Sequence, residues 1–173
     1  MRLQKCLLTF IVCMMICSLW YMTVPFKASA AFIKADKVVV IKSKRLLMLI
    51  KEGEILKAYR VSLGKQPNGH KAKVGDKRTP EGTYILDSRN LDSKFHRAIH
   101  ISYPNELDIL NAQKRGVSPG GDIMIHGLSE KLKDMGKFHI TSDWTEGCIA
   151  VTNSEIEEIW QLVPDGTPIE IKP

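Results

Sequence analysis

Residues 37–63 read KVVVIKSKRLLMLIKEGEILKAYRVSL, and this stretch decides the fold class. Val, Ile and Leu dominate it, and the turn-forming breaks at Ser43-Lys44 and Glu52-Gly53 come at short spacing. The pattern predicts strands over 37–42, 45–51 and 54–63, joined as an antiparallel meander. After a polar loop over 64–80 the same texture returns at 82–86, so the first half of the domain reads as β. Helical signals come later. Residues 106–115 follow the turn-like Tyr103-Pro104-Asn105, and residues 155–163 place Ile156, Ile159, Trp160 and Val163 on one stripe. Thr152 with Glu155, or Ser154 with Glu157, supplies a capping box for that second helix. A short apolar run, Ile123-Met124-Ile125, lies between the helices, and 167–171 reads as a closing strand after the Asp165-Gly166 turn. The expected class is mainly β, a β-rich α+β domain with a few helices.

The chain before this domain has a different character. Arg2 and Lys5 precede an uncharged run from Leu7 to Val24, followed by Pro25 and the small residues Ala28-Ser29-Ala30. Residues 1–30 are expected to be an export signal cleaved after Ala30. The 18-residue apolar run is also just long enough to cross a bilayer, so an uncleaved anchor is the competing reading. Either way the domain over 31–173 is expected outside the cytoplasm, in the periplasm or on the cell-wall face of the envelope, touching a membrane only through an uncleaved N-terminal segment.

The whole chain carries a formal charge of +6. Three of its bases, Arg2, Lys5 and Lys27, fall in the first 30 residues, which contain no acid, leaving only a mild excess in the domain. Lysines there alternate with acids instead of forming a basic run, which argues against a nucleic-acid partner. Cys6, Cys13 and Cys17 also belong to the export segment, so Cys148 is the single thiol of the domain and has no internal disulfide partner. In an oxidising compartment such a thiol is either buried and inert or used as a nucleophile.

Two segments carry the pieces that thiol chemistry needs. Ile123-Met124-Ile125-His126-Gly127 ends an apolar strand on a histidine, and Asp143-Trp144-Thr145-Glu146-Gly147-Cys148 puts a glycine before the cysteine. Attack by sulfur on an acyl carbon requires a base or cation nearby and amide donors for the developing oxyanion. Gly147 and Cys148 are the natural N–H donors. Taken singly, such a cysteine is more often buried filler and such a histidine structural.

The stretch Ile125-His126-Gly127, with Thr145-Glu146-Gly147-Cys148-Ile149-Ala150-Val151-Thr152-Asn153, resembles the signature of the L,D-transpeptidase family, the YkuD-type catalytic domain of bacterial cell-wall enzymes. Val61-Ser62-Leu63-Gly64, Gly75-Asp76, Arg78-Thr79-Pro80-Glu81-Gly82-Thr83-Tyr84 and Pro119-Gly120-Gly121-Asp122 resemble family segments in the expected order. The resemblance implies a β-sandwich-like domain with a catalytic cysteine cleft, using neither metal nor cofactor. It implies Cys148 as nucleophile, His126 as its base, the Gly127 carbonyl as orienter of His126 and Gly147 as an oxyanion donor. Trp144, Thr145, Glu146 and Asn153 are the expected substrate-binding residues. The implied partners are peptidoglycan stem peptides, a donor tetrapeptide and an acceptor amine; with water as acceptor the same site would be an L,D-carboxypeptidase. Three departures stand out: Glu146 where the family often has histidine, Ala150 where it often has arginine, and a long gap before Thr145 that suggests an inserted helix near 128–135.

Other local features read more blandly. His96 and His100 are four apart, but their segment reads as a strand and lacks the glutamate of a zinc helix, so no metal is expected. Residues 64–71 lack the Gly-Lys-Ser/Thr ending of a phosphate loop and read as a solvated hairpin loop. His139 is a rival base to His126. Asp143 either orients His126 or caps the cysteine turn, and Trp144 either lines the groove or packs beneath that turn. A non-catalytic wall-binding module, with Cys148 structural, is the alternative of a different class.

Overall fold

The computed structural model describes residues 33–173; the export-signal reading lies outside them. The described strands are β1 (Lys37–Ile41), β2 (Leu46–Lys51), β3 (Glu54–Arg60), β4 (Gly82–Ser93), β5 (His96–Ile101), β6 (Met124–His126), β7 (Ile149–Ala150) and β8 (Thr167–Lys172). Two α-helices join them, α1 (Glu106–Lys114) and α2 (Asn153–Leu162). The fold is β-rich, and the strands form one sheet in the order β3-β2-β1-β8-β4-β5-β6-β7. The β1–β8 and β6–β7 pairs are parallel and the others antiparallel.

The sheet curls until its two edges meet. Ser62, just past β3, exchanges hydrogen bonds with Ala150 of β7, N–H to carbonyl at 3.0 and 2.9 Å. Closure gives the sheet an inner face, and there Val38, Val40, Leu47, Leu49, Leu86, Ile99 and Ile169 are fully buried in one core with Ile156 and Ile159 of α2. The sandwich-like expectation therefore takes the form of a single sheet curled on itself. At α2 the Thr152/Glu155 capping box is the one formed: Thr152 Oγ1 accepts the Glu155 N–H and Glu155 Oε2 accepts the Thr152 N–H.

Two elements differ from expectation. β4 continues to Ser93, because 87–93, polar except for exposed Leu91, pairs with β5 as a ribbon whose backbone bonds leave no apolar alternation to read. The insertion after His126 forms no α-helix over 128–135. It makes 3₁₀ turns over Lys133–Thr141, interrupted at Gly136, whose φ of +48° with ψ of −128° breaks any helical continuation.

The polar loop over 64–80 is built from inside. Lys42, 2% exposed, donates to the carbonyls of Gly69 and Thr79 and to Glu81, at 2.7, 2.9 and 2.8 Å. Asp76 accepts from Lys71 Nζ and from the N–H groups of Ala72, Lys73 and Arg78. Burial opposes its ionisation, but these donors prevail and hold its pKa down at about 2. Lys65, Gln66, Asn68 and Gly69 of the expected solvated loop are exposed, while Lys42 and Asp76 bind the longer 64–80 stretch from within.

Candidate active site

Pairing of β6 with β7 sets Ile125 beside Ile149 and His126 beside Ala150. Cys148 thus lies just outside β7, alongside the β6 strand that ends on His126. Met124 and His126, two apart, face the same side of the strand. Both line a cleft of about 500 Å³ with Cys148, and Ser93, Lys94 and Phe95 at the tip of the β4–β5 hairpin line it as well.

His126 is 3% exposed, and its Nδ1 lies 2.7 Å from the Gly127 carbonyl. A carbonyl only accepts, so Nδ1 carries the proton and Nε2 is left with its lone pair. Phe95 stacks on the ring at 4.4 Å between centroids, and Trp144 meets it edge-on at 5.9 Å. Burial pulls the His126 pKa down to about 4, outweighing the opposing Gly127 hydrogen bond. Burial likewise pushes the Cys148 thiol up, against the pull of the Met124 N–H on sulfur, and Cys148 Sγ lies 3.6 Å from the Asp122 carbonyl. At neutral pH both groups are uncharged. The arrangement suits a base that takes the thiol proton as sulfur attacks; a standing thiolate–imidazolium pair, which would require a depressed thiol pKa, does not fit it.

The turn carrying Cys148 is held from within and from the 64–80 loop. Thr145 Oγ1 donates to the Cys148 carbonyl at 2.7 Å and accepts the Gly147 N–H at 3.1 Å. The Thr145 carbonyl accepts the Lys65 N–H, and the Thr145 N–H reaches the Leu63 carbonyl.

A sequence model of the YkuD family, the L,D-transpeptidase catalytic domain, matches residues 35–171. The chain belongs to this family. YafK of Escherichia coli (strain K12), provisionally named an L,D-transpeptidase, is 32% identical over 130 residues, covering 72% of this chain and 45% of YafK. The chain thus spans about half the length of that relative. The crystal structure of Pgp2 from Campylobacter jejuni, described as a helical cell shape determining protein, superposes with a TM-score of 0.59 at 24% identity, covering 79% of this chain and 48% of Pgp2. An L,D-transpeptidase from Xylanimonas cellulosilytica gives 0.50 at 17%, covering 84% and 64%. These structural likenesses establish the YkuD-like fold.

Within this L,D-transpeptidase domain several expected site residues have other places. Gly147 is not an uncommitted oxyanion donor, because its N–H is bonded to Thr145; the N–H of Cys148, like that of Glu146, has no acceptor among the described residues, and the Cys148 N–H is the one on the residue that carries the sulfur. None of Trp144, Thr145, Glu146 and Asn153 lines the cleft shared by Cys148 and His126. Trp144 packs against His126 and Phe95, Thr145 builds the turn, and exposed Glu146 pairs with Lys65. Asn153 Oδ1 accepts the Leu128 N–H at 2.6 Å, fixing the chain just beyond His126-Gly127. Asp143 is bound to Arg45 and to the Leu63 N–H, so it caps the turn region and does not orient His126. His139, 1% exposed, is held by the Ser62 hydroxyl and is not on the cleft wall. Ala150, where the family often has arginine, is fully buried between His126 and Ser62, so a cation there would have no route to water. Sequence reasoning gave no site role to the cleft residues Lys94, Phe95 and Asp122, among others; Asp122 lies in a quoted family segment, whereas the first two lie at a ribbon tip that carries no motif.

Gly147 has φ of +136°, and a Cβ there would stand 2.7 Å from the Arg78 carbonyl oxygen. Gly147→Ala is therefore expected to lower stability by roughly 2–4 kcal/mol and to slow thiol alkylation, read by denaturant unfolding and by iodoacetamide labelling.

A second expectation follows from His126. In the unfolded chain its imidazole titrates near 6.5, whereas in the fold it stays neutral down to about 4. The unfolded state binds the extra proton between those values, so stability present above pH 6.5 is lost as pH falls toward 4, by about 3 kcal/mol from this residue. Urea unfolding of wild type and His126→Gln at pH 7, 5.5 and 4 checks this: the difference between them should shrink or reverse on acidification. A constant difference would mean that His126 is not buried neutral.

Proposed function

We propose that the chain is an exported cysteine L,D-transpeptidase that cross-links third residues of peptidoglycan stem peptides. The observation that carries this reading is His126 held by the Gly127 carbonyl, with Nε2 unprotonated, on the wall of the cleft that also holds Cys148. Family membership supplies the reaction class. In the first half-reaction His126 Nε2 takes the thiol proton as Cys148 Sγ bonds to the carbonyl carbon of the third stem residue. The Cys148 N–H stabilises the oxyanion. Collapse breaks the amide bond, and the terminal D-alanine leaves as an amine with the proton from His126. In the second half-reaction the side-chain amine of a third residue on another stem gives a proton to His126, attacks the thioester carbon and displaces the Cys148 sulfur. An amide cross-link and a reprotonated thiol result.

The decisive measurement is product analysis on defined muropeptides, with and without an amine acceptor. Cross-linked dimer is the expected product with acceptor present. Tripeptide alone under both conditions would make the enzyme an L,D-carboxypeptidase with water as acceptor. Unreacted tetrapeptide with an unreactive thiol would point to a non-catalytic wall-binding module. Export through residues 1–30 belongs to the same proposal, and N-terminal sequencing of the mature protein, expected to begin at Ala31, tests it.

A further inference from the structure

A second cleft, about 540 Å³ in volume, is lined by Gln66, Lys73, Asp76, Arg78, Arg115 and Val117. Three cations face it from two parts of the chain, Lys73 and Arg78 from the 64–80 loop and Arg115 from the end of α1. None of the three forms an ion pair among the described residues. Arg78 reaches only the His70 carbonyl, at 3.5 Å. The one carboxylate on the wall, Asp76, has a side chain only 9% exposed and is matched by the buried Lys71 ammonium and three backbone N–H groups. Its charge is compensated inward, so the positive charge of the wall is left facing the cleft. Like charges held together on a concave surface repel, and an anion bound among them relieves that repulsion while gaining charge-assisted hydrogen bonds.

The cleft stands close to Cys148. The Arg78 and Gly147 backbones are packed so tightly that a Cβ on Gly147 would meet the Arg78 oxygen. Val117 lines the cationic cleft and Asp122 lines the Cys148 cleft, five residues further along. Arg78 thus joins the cationic wall to the residue next to Cys148, and a stem peptide held by its carboxylates among the three cations starts beside the cysteine turn, from which its amine can be carried toward the sulfur.

We propose that this cleft binds the free carboxylates of the acceptor stem peptide. The assignment rests on the transpeptidase reading above, and its test is kept separate from turnover. In the full chain carrying Cys148→Ala, which cannot be acylated, binding of a synthetic stem tetrapeptide with free carboxylates is compared with binding of its carboxyl-amidated counterpart and of inorganic phosphate. The free acid should bind at least about tenfold more tightly than the amidated peptide, and Lys73→Gln with Arg115→Gln should remove about that factor. Added salt should weaken the free-acid complex selectively. Equal binding of the two peptides overturns the proposal, as does phosphate binding as tight as that of the free acid, which would mark a generic anion patch. If the double variant fails to unfold cooperatively, the amidation comparison on the unaltered wall decides alone. A wild-type protein that binds the stem here yet transfers no acyl group refutes the transpeptidase reading and leaves the carboxylate site standing.

Discussion

Cys148→Ala is expected to abolish acyl-enzyme formation altogether while leaving the fold intact. Sulfur is the only atom proposed to bond covalently to substrate, and alanine removes it without adding bulk to a partly buried position. The resemblance to L,D-transpeptidases makes a carbapenem a suitable acylating probe. Intact mass spectrometry should show one drug adduct on the wild-type chain and none on the variant, and muropeptide turnover should fall to background. Cys148→Ser should be nearly as inactive, because a hydroxyl beside a neutral imidazole is a far weaker nucleophile than a thiol. An alanine variant that still forms the adduct, or still processes muropeptide, would place the nucleophile elsewhere.

The second large effect concerns the base. His126→Ala should slow acylation at pH 7 by about 10²–10⁴-fold, the usual contribution of a positioned general base. The pH dependence separates this from mere loss of packing. In the wild type, burial keeps the imidazole neutral down to about pH 4, so it remains able to accept the thiol proton through the weakly acidic range. Acylation should therefore persist at pH 5 and fall as pH drops through about 4. Without the imidazole, attack depends on spontaneous ionisation of a thiol whose pKa burial has raised. The variant's rate should climb with pH and narrow the gap to wild type in alkaline solution. A deficit equal at every pH would indicate that His126 only packs, against Phe95 and Trp144. His139→Ala is the comparison: that ring lies behind Ser62 and off the cleft wall, so its loss should leave the acid limb of the profile in place.

These effects depend on contacts that differ in how visible they are along the chain. The Thr152/Glu155 cap, the apolar stripe of α2 and the short-spaced breaks of the first strands are local, arising within a few residues, and the corresponding elements formed where they were expected. The ribbon over 87–93 was missed for the opposite reason. Its strand bonds are backbone bonds to β5, its side chains are all polar but Leu91 and mostly solvent-facing, and nothing in their order marks extended structure. The same blindness hid Lys94 and Phe95, which enter the site only because the ribbon folds over it.

The sequence by itself determined the β-rich class, the single thiol of the domain, the family and the two motif segments that end on His126 and Cys148, because strand periodicity and a short motif are properties of neighbouring residues; the parallel β6–β7 pairing is what set the two side chains on one cleft. Only the tertiary structure decided how those groups are electrically set and which neighbours are available to them. It buried His126 so that its imidazole stays neutral, committed the Gly147 N–H to Thr145, and bound Asp143 to Arg45. It also gathered Lys73, Arg78 and Arg115 from distant positions onto one wall. Burial and hydrogen-bond commitment depend on which atoms surround a group after the sheet has curled and Ser62 has met Ala150, a closure between residues 88 positions apart that no local pattern encodes.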